Sequence, residues 1–569
     1  MRKIKKITYA AIILLFAVSF VAPFFSQAQI NDPVYFFVNP EYETDGHKNE
    51  QITFLYSSAK AHFYIEKDYL NSLSDQSKID LNTAVQNTGN LFDTQIYDRV
   101  RSIFGSEWNP GIDNDPKITI YFTDMPSEFN GYVRSEDEST SQFAVNSNKR
   151  EMLYINAKLV GDIILPAVLA HEFQHLINYN QKERITGVKE ERWLNEALSE
   201  YASTVVADDG SESYLSRRLS IFKNSPNDSL VVWDNEIKDY ASVSMFIHYL
   251  ADIYGDTLVY HVAHSSFVGS AAITDALNKL GVNRDFSQVY TDWTTALFLN
   301  QNFDDTKIYA YKNPLLSFLN FRVNAKNTFS VGDTNLIKIS VALQDFSPQW
   351  YRFIPLKYDL GNPNFLNIKF ETLNKQDVFE VAVIITTIAG DITTDVHTVR
   401  GGGSMLSVPD FNQDISSVVL VLSSHTKLSN FDNMENKFRT ISIEASMSSG
   451  AYDIKNGDLL RTKGDDRVYV IKDGYRRWIP SPEVFNGYGH LKWENILEVD
   501  EEILNNYKES YLVQFIGDYK VYEIGMGGST KNWLNITPSQ FEASSRKWTS
   551  IYEINQKEYD FYREGVPTL

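Results

Sequence analysis

Leu165-Pro166-Ala167-Val168-Leu169-Ala170-His171-Glu172-Phe173-Gln174-His175-Leu176-Ile177-Asn178 is the stretch on which the reading of this chain turns. Its apolar residues lie nearly all round a helix, which predicts a short helix buried in a domain core. Pro166 suits the first turn, where its missing N–H costs nothing. His171 and His175 stand four positions apart and project from one helix face, so both imidazoles can reach one ion. Two histidines and Glu172 are costly to desolvate without a partner, and a divalent metal removes that cost. The alternative is a pair of core histidines bonded to backbone carbonyls, which the downstream residues disfavour.

A catalytic zinc takes three protein ligands and leaves one position for water. A metzincin would carry Gly at 178 and His at 181; Asn178 and Gln181 stand there and exclude that class. Glu196 follows His175 by twenty-one positions (196 − 175), inside Trp193-Leu194-Asn195-Glu196-Ala197-Leu198-Ser199-Glu200-Tyr201-Ala202. This second apolar-periodic segment predicts another helix, joined to the first by the polar connection 180–191. Two antiparallel helices would set Glu196 beside the histidines. Glu200, one turn later, could accept the outer N–H of a ligand histidine and orient its ring. Helical glutamates usually line a solvated face, but the upstream His-Glu-x-x-His argues against that reading here.

His171-Glu172-x-x-His175 with Asn195-Glu196-x-x-Ser199-Glu200 resembles the gluzincin metallopeptidases, the thermolysin-like zinc peptidase clan. The fuller strings resemble the hyicolysin family of secreted neutral metalloendopeptidases over about residues 55–300, including Asn146-Ser147-Asn148 before Met152–Asn156. Ala197 departs from the Gly expected in most relatives. The resemblance implies an α+β zincin-like catalytic domain, a small sheet plus a mainly helical lobe. It implies one zinc ion on His171, His175 and Glu196, Glu172 as general base, Asn195 and Glu200 behind the ligands, and protein or peptide substrates. The oxyanion that develops in peptide hydrolysis needs a donor. Tyr240, His248, Tyr249, His261 and His264 are candidates, with Tyr240 favoured because it enters a helix from a loop; a packed core tyrosine is the competing reading.

The rest of the chain frames this site. At 569 residues, and about one domain per 100–200 residues, three to five domains are expected. Hydrophobic residues at 43% and charged residues at 22% exclude disorder over the whole length. Acidic residues exceed basic ones by 20 (73 − 53), a sign that repels phosphate backbones and argues against a nucleic-acid partner. No cysteine is present, so disulfides, thiolate metal sites, a cysteine-switch latency and a lipoprotein anchor are excluded.

Arg2, Lys3, Lys5 and Lys6 precede an apolar run from Ile7 to Phe25 and then Ser26-Gln27-Ala28. This predicts a signal peptide over 1–28 and a secreted, extracellular protein; an uncleaved membrane anchor is the less favoured reading. Residues 29–54 read as a polar lead-in and 55–300 as the peptidase domain. An all-β sandwich is expected over 325–448, with a hairpin turn at Gly401-Gly402-Gly403 and another turn cluster at 361–364. Landmarks from Gly464-Asp465 to Tyr507 recur from Gly517-Asp518 to Tyr562, predicting two small repeat modules over 457–510 and 511–565. These domains could take a cell-surface or polymer ligand, and a fragment 29–310 is expected to fold without them.

Two motifs are set aside. Asn433-Met434-Glu435-Asn436 lies after the zinc motif and reads as a surface turn, which favours an endopeptidase over an aminopeptidase of the same clan. Asp113-Asn114-Asp115-Pro116 could help hold calcium, but a structural turn is favoured because no EF-hand spacing follows. The remaining alternative is a non-catalytic surface-binding protein on a peptidase scaffold.

Overall fold

The computed structural model describes residues 34–568, apart from 45, 141–143, 207–213, 319–320, 333, 360–363, 401–402, 434–436, 449–453, 500, 506, 526 and 545. The expected signal peptide and the turn at 361–363 lie outside the described residues. Among the described residues no helix is long and apolar enough to cross a membrane.

The fold is mixed α+β, with a helical lobe and a β-rich C-terminal region. Its first sheet contains β1 (Tyr35–Phe37), β2 (Asn49–Ser57), β3 (Ala61–Glu66), β4 (Ile118–Thr123), β5 (Gly131–Tyr132) and β6 (Met152–Asn156), in the order β1-β2-β3-β4-β6-β5. The β3–β4 and β4–β6 pairs are parallel, while β5 runs antiparallel to β6 and forms one edge. Residues 34–54 are therefore more than a lead-in: β1 pairs with β2, and Glu43 between them is buried. Their polar composition hid a strand because only Phe36 and Val38 are apolar and buried in that stretch.

Helices α1 (Lys67–Ser72), α2 (Asp75–Leu91), α3 (Tyr97–Phe104), α4 (Leu165–Asn178), α5 (Arg192–Val206), α6 (Tyr214–Asn224), α7 (Ile237–Tyr254), α8 (Asp256–Ala263), α9 (Gly269–Lys279) and α10 (Phe286–Leu299) complete the N-terminal half. Phe63, Ile120 and Leu153 from the sheet share one core with Phe92, Phe173 and Ala197 from the helices. Pro166 occupies the first turn of α4, and Leu169, Ala170, Phe173, Leu176 and Ile177 are fully buried, as the all-round apolar pattern requires.

The C-terminal strands are β7 (Asn327–Val331), β8 (Ile337–Leu343), β9 (Gln349–Pro355), β10 (Phe365–Thr372), β11 (Phe379–Thr387), β12 (Ile392–Val399), β13 (Gly403–Val408), β14 (Ile415–Ser424) and β15 (Arg439–Ser448). One sheet has the order β12-β11-β14-β9-β7, and β13-β10-β15-β8 belongs to another. Strands β12 and β13 lie in different sheets, with His397 Nε2 and Ser404 Oγ 2.8 Å apart; Gly401 and Gly402, where a hairpin turn was expected, lie outside the described residues.

Alternation along β11 and β14 explains how this region meets the helical lobe. Val381, Val383, Val418, Leu420 and Leu422 face the interior between the two sheets. Ala382, Ile384, Val419 and Val421 point the other way, into the core that holds the helices, joined there by Phe346, Trp350 and Phe431. The expectation that 29–310 folds alone runs against this shared core. A cut at 310 strips a continuous apolar face from the lobe.

Strands β16 (Leu459–Thr462), β17 (Val468–Lys472), β18 (Tyr475–Ile479), β19 (Ile496–Val499) and β20 (Lys508–Glu509) extend the second sheet, β19 pairing in parallel with β13. The elements recur as β21 (Leu512–Phe515), β22 (Val521–Ile524), β23 (Thr530–Trp533), β24 (Tyr552–Ile554) and β25 (Arg563–Glu564), with matching pairings. Phe485 stacks on Trp493 and Phe541 on Trp548 with the same 4.1 Å ring separation.

Candidate metal centre

Helices α4 and α5 are antiparallel neighbours: Ser203 Oγ donates to Ala167 O, while His175 approaches Asn195 and Ser199. This sets Glu196 between the two histidines. Glu196 Oε2 is 3.3 Å from His171 Nε2 and 3.7 Å from His175 Nε2, and one donor atom from each residue lies within 4.8 Å of the others. Glu196 Oε2 is buried and has no hydrogen-bond partner. A buried carboxylate oxygen without a donor, faced by two ring nitrogens, is a costly arrangement that a cation relieves. Two imidazoles and one carboxylate form a donor set suited to zinc with an open fourth position, so the residues fit the metal.

The outer ring nitrogens are held from α5. His175 Nδ1 lies 3.1 Å from Ser199 Oγ and 3.3 Å from Asn195 Oδ1. His171 Nδ1 is 3.5 Å from Ser203 Oγ and 3.6 Å from Glu200 Oε1. Glu200 is wholly buried and its carboxylate is engaged elsewhere: Arg218 donates through Nε and Nη2 at 2.7 Å each, and Tyr214 OH at 3.0 Å. Glu200 thus sits behind His171 without a full hydrogen bond to it. Arg218 and Tyr214 lie on α6, which the sequence reading did not identify.

Burial and the charges of neighbouring groups together set the titration of this site. It pushes the Glu172 carboxyl up to about 7, opposed by His171 and reinforced by Glu196. Burial disfavours charge on His171, but Glu196 and the other nearby carboxylates outweigh it and raise the group to about 9. His175 is held below its ordinary value by burial. Glu196 lies below the usual carboxylate value because His175 and His171 outweigh its burial.

The three side chains open onto a cleft of about 690 Å³ that also contains Glu172, Gly131, Tyr240 and Tyr214. Gly131, on edge strand β5, approaches α4 closely: an added Cβ would stand 2.8 Å from Tyr154 O and 3.0 Å from Glu172 Oε1. Only glycine leaves that space, and the requirement is invisible in sequence because the two segments meet only in the fold. Tyr240 lies in the first turn of α7, against Trp233 at 4.9 Å and Arg218 at 5.3 Å, with its hydroxyl 3.4 Å from Asn235 Oδ1. His248, Tyr249, His261 and His264 do not line the cleft. His248 is buried against Thr204, and Tyr249 is a core residue.

The two motifs set aside are also placed. Asp113 Oδ1 accepts from Asp115 N and Asp115 Oδ1 from Lys117 N, both at 3.0 Å, so these carboxylates serve their own turn. Residues 434–436 lie outside the described residues. Just before them, Arg192 N donates to Asp432, and Asn430 N to Glu191 Oε1, at the start of α5.

No family model matches the chain. It is similar to the neutral metalloprotease ShpI of Staphylococcus hyicus, with 23% identity over 284 residues, covering 45% of this chain and 59% of that protein. The match thus spans about three-fifths of the relative's length. Likeness to the Yersinia pseudotuberculosis-derived mitogen covers 21% of this chain and 89% of that one, at 10% identity and a TM-score of 0.15. An exo-beta-agarase matches over 22% of each chain, at 9% identity and a TM-score of 0.15. The relative is a metalloprotease, and His171, His175 and Glu196 of this chain form a cluster that could hold a metal ion.

Proposed function

We propose that this chain is a secreted zinc-dependent endopeptidase that hydrolyses peptide bonds in proteins. The observation that carries the reading is the convergence of His171 and His175 on the unpartnered Oε2 of Glu196, with Glu172 in the same cleft. His171, His175 and Glu196 would hold the ion. Zinc bound there supplies Lewis acidity, lowering the pKa of water toward ~7 and polarising a carbonyl.

The chain's own residues do the rest. Glu172, its carboxyl raised to about 7 by burial, takes the proton of the attacking water and returns it to the leaving amine nitrogen. Tyr240 and Tyr214 both border the cleft from the helical side and are candidate hydroxyl donors to the oxyanion that develops on the attacked carbonyl. Of these, Tyr240 has the freer hydroxyl, since Tyr214 bonds to Glu200 and Arg218. Edge strand β5 offers its unpaired backbone side to an extended peptide. Asn195 and Ser199 orient His175, and Arg218 fixes Glu200 behind His171.

Purified protein should bind one zinc ion and cleave casein, and a chelator should abolish cleavage. Glu172→Gln should keep the zinc and lose about 10²–10⁴-fold in kcat, the range for a removed acid–base group. Unchanged casein cleavage by Glu172→Gln would refute the assignment and favour a non-catalytic binding protein on this scaffold. Cleavage confined to peptides with a free N-terminus would make the protein an aminopeptidase. The sandwich and the two C-terminal modules are read as accessory domains.

A further inference from the structure

A second hollow, of about 860 Å³, adjoins the metal cleft and shares Tyr42, Tyr132, Val133, Ser135 and Lys189 with it. Its charged lining is Lys48, Arg134, Lys189 and Arg192 against one carboxylate, Glu136. That balance stands out in a chain whose net charge is −20. Arg134 is committed, donating to Phe37 O at 2.7 Å and Asn146 O at 3.1 Å and lying 3.7 Å from Asp137. Lys48, Lys189 and Arg192 are exposed and form no ion pair among the described residues. The backbone N–H of Arg192 binds Asp432, but its guanidinium takes no part in that contact. Glu183, in the cleft proper, is the carboxylate that feels the charge of Lys189.

We propose that this hollow is a subsite of the cleft that selects peptides carrying aspartate or glutamate on one side of the scissile bond. The proposal rests on the peptidase reading above. Residues 133–136, which border the hollow, continue directly from edge strand β5. A peptide extended along β5 advances about 3.3 Å per residue, so its side chains beyond the metal are carried toward Lys189, Arg192 and Lys48. Cations without internal partners bind carboxylates without first breaking another ion pair. Concentrated in a concave site on an otherwise acidic protein, they also focus the field on an approaching anion.

The test uses the full-length zinc-loaded protein and blocked peptides that differ only in Asp-Asp or Asn-Asn beyond the cleavage site. The aspartate peptide should show about tenfold higher kcat/KM, expressed mainly in KM, and the gap should close in ~1 M NaCl. Lys48→Glu/Lys189→Glu, which leaves α5 untouched, should reverse the order of the two substrates. Equal kcat/KM values, or a preference that survives this double variant, would overturn the proposal. Anisotropy of a labelled aspartate-rich peptide on Glu172→Gln reads the subsite without catalysis. If no peptide is cut, the peptidase reading fails, while charge-selective binding lost in Lys48→Glu/Lys189→Glu still upholds the subsite. Equal affinity for asparagine peptides, or for inorganic polyphosphate, overturns it.

Discussion

Glu43 provides a quantitative check on the sheet that walls the cleft. It is 6% exposed, accepts hydrogen bonds from Thr123 Oγ1 at 2.5 Å and Tyr132 OH at 2.9 Å, and lies near Glu66 and Glu50. Burial drives its carboxyl from 4.5 up to about 7. Below pH 4.5 the group is protonated in both folded and unfolded chains and does not affect stability. Between pH 4.5 and 7 the unfolded chain ionises while the folded one keeps its proton, so stability falls as pH rises. Above 7 the penalty is constant. At about 1.36 kcal/mol per pH unit, the interval from 4.5 to 7 amounts to about 3 kcal/mol. Glu43→Gln removes the ionisation, at a cost from lost acceptors that does not depend on pH. Urea unfolding followed by tryptophan fluorescence from pH 4.5 to 8 should show the variant gaining on the parent by about 3 kcal/mol and levelling off near pH 7. A difference that stays flat with pH would refute the burial argument.

Gly131→Ala should force β5 and Glu172 apart and cost at least about tenfold in kcat against casein, with the circular dichroism spectrum unchanged. Phe346→Ala, which empties a site bordered by Phe286, Tyr290, His425 and Phe431, should cost about 3–5 kcal/mol. It should lower the melting of helical lobe and sandwich together in calorimetry; two separated transitions would contradict the shared core. Glu558→Ala strands the buried guanidinium of Arg477, which it joins together with Tyr488 and Tyr562, and should cost the C-terminal modules about 3–5 kcal/mol. Casein cleavage should remain unaffected, and loss of activity would show that the modules support the cleft.

The parts legible in the sequence were those with strong periodicity or fixed spacing. The bounds of α4, α5 and α10 could be read directly because apolar residues recur along each, Pro166 opens α4, and α10 carries a capping box at Asp285. The spacing from His175 to Glu196 anticipated the meeting of α4 and α5, since a polar connection between two apolar helices favours antiparallel packing. Three features were harder to read. Strand β1 is three residues long and lies in polar sequence. Helix α6 carries Arg217 and Arg218 side by side, which reads as surface although Arg218 is turned inward onto Glu200. Val418-Val419-Leu420-Val421-Leu422 did carry a signal: five consecutive apolar residues imply a strand buried on both faces, and thus a partner beyond the sandwich itself.

The contact between the sandwich and the start of α5 limits how this protein can be recombined. Asn430 and Phe431 give their N–H groups to Glu191 Oε1, and Asp432 receives the N–H of Arg192, so a loop some 240 residues downstream finishes the first turn of the helix that bears Glu196. A lineage that exchanged the sandwich for another domain would leave the N–H of Arg192 without Asp432 and Glu191 Oε1 without its two backbone donors. Residue 300, where the helices end, is therefore not a point at which the chain can be divided into separately inherited units, and the pairing of β19 with β13 ties the strands beyond the sandwich to it in the same way.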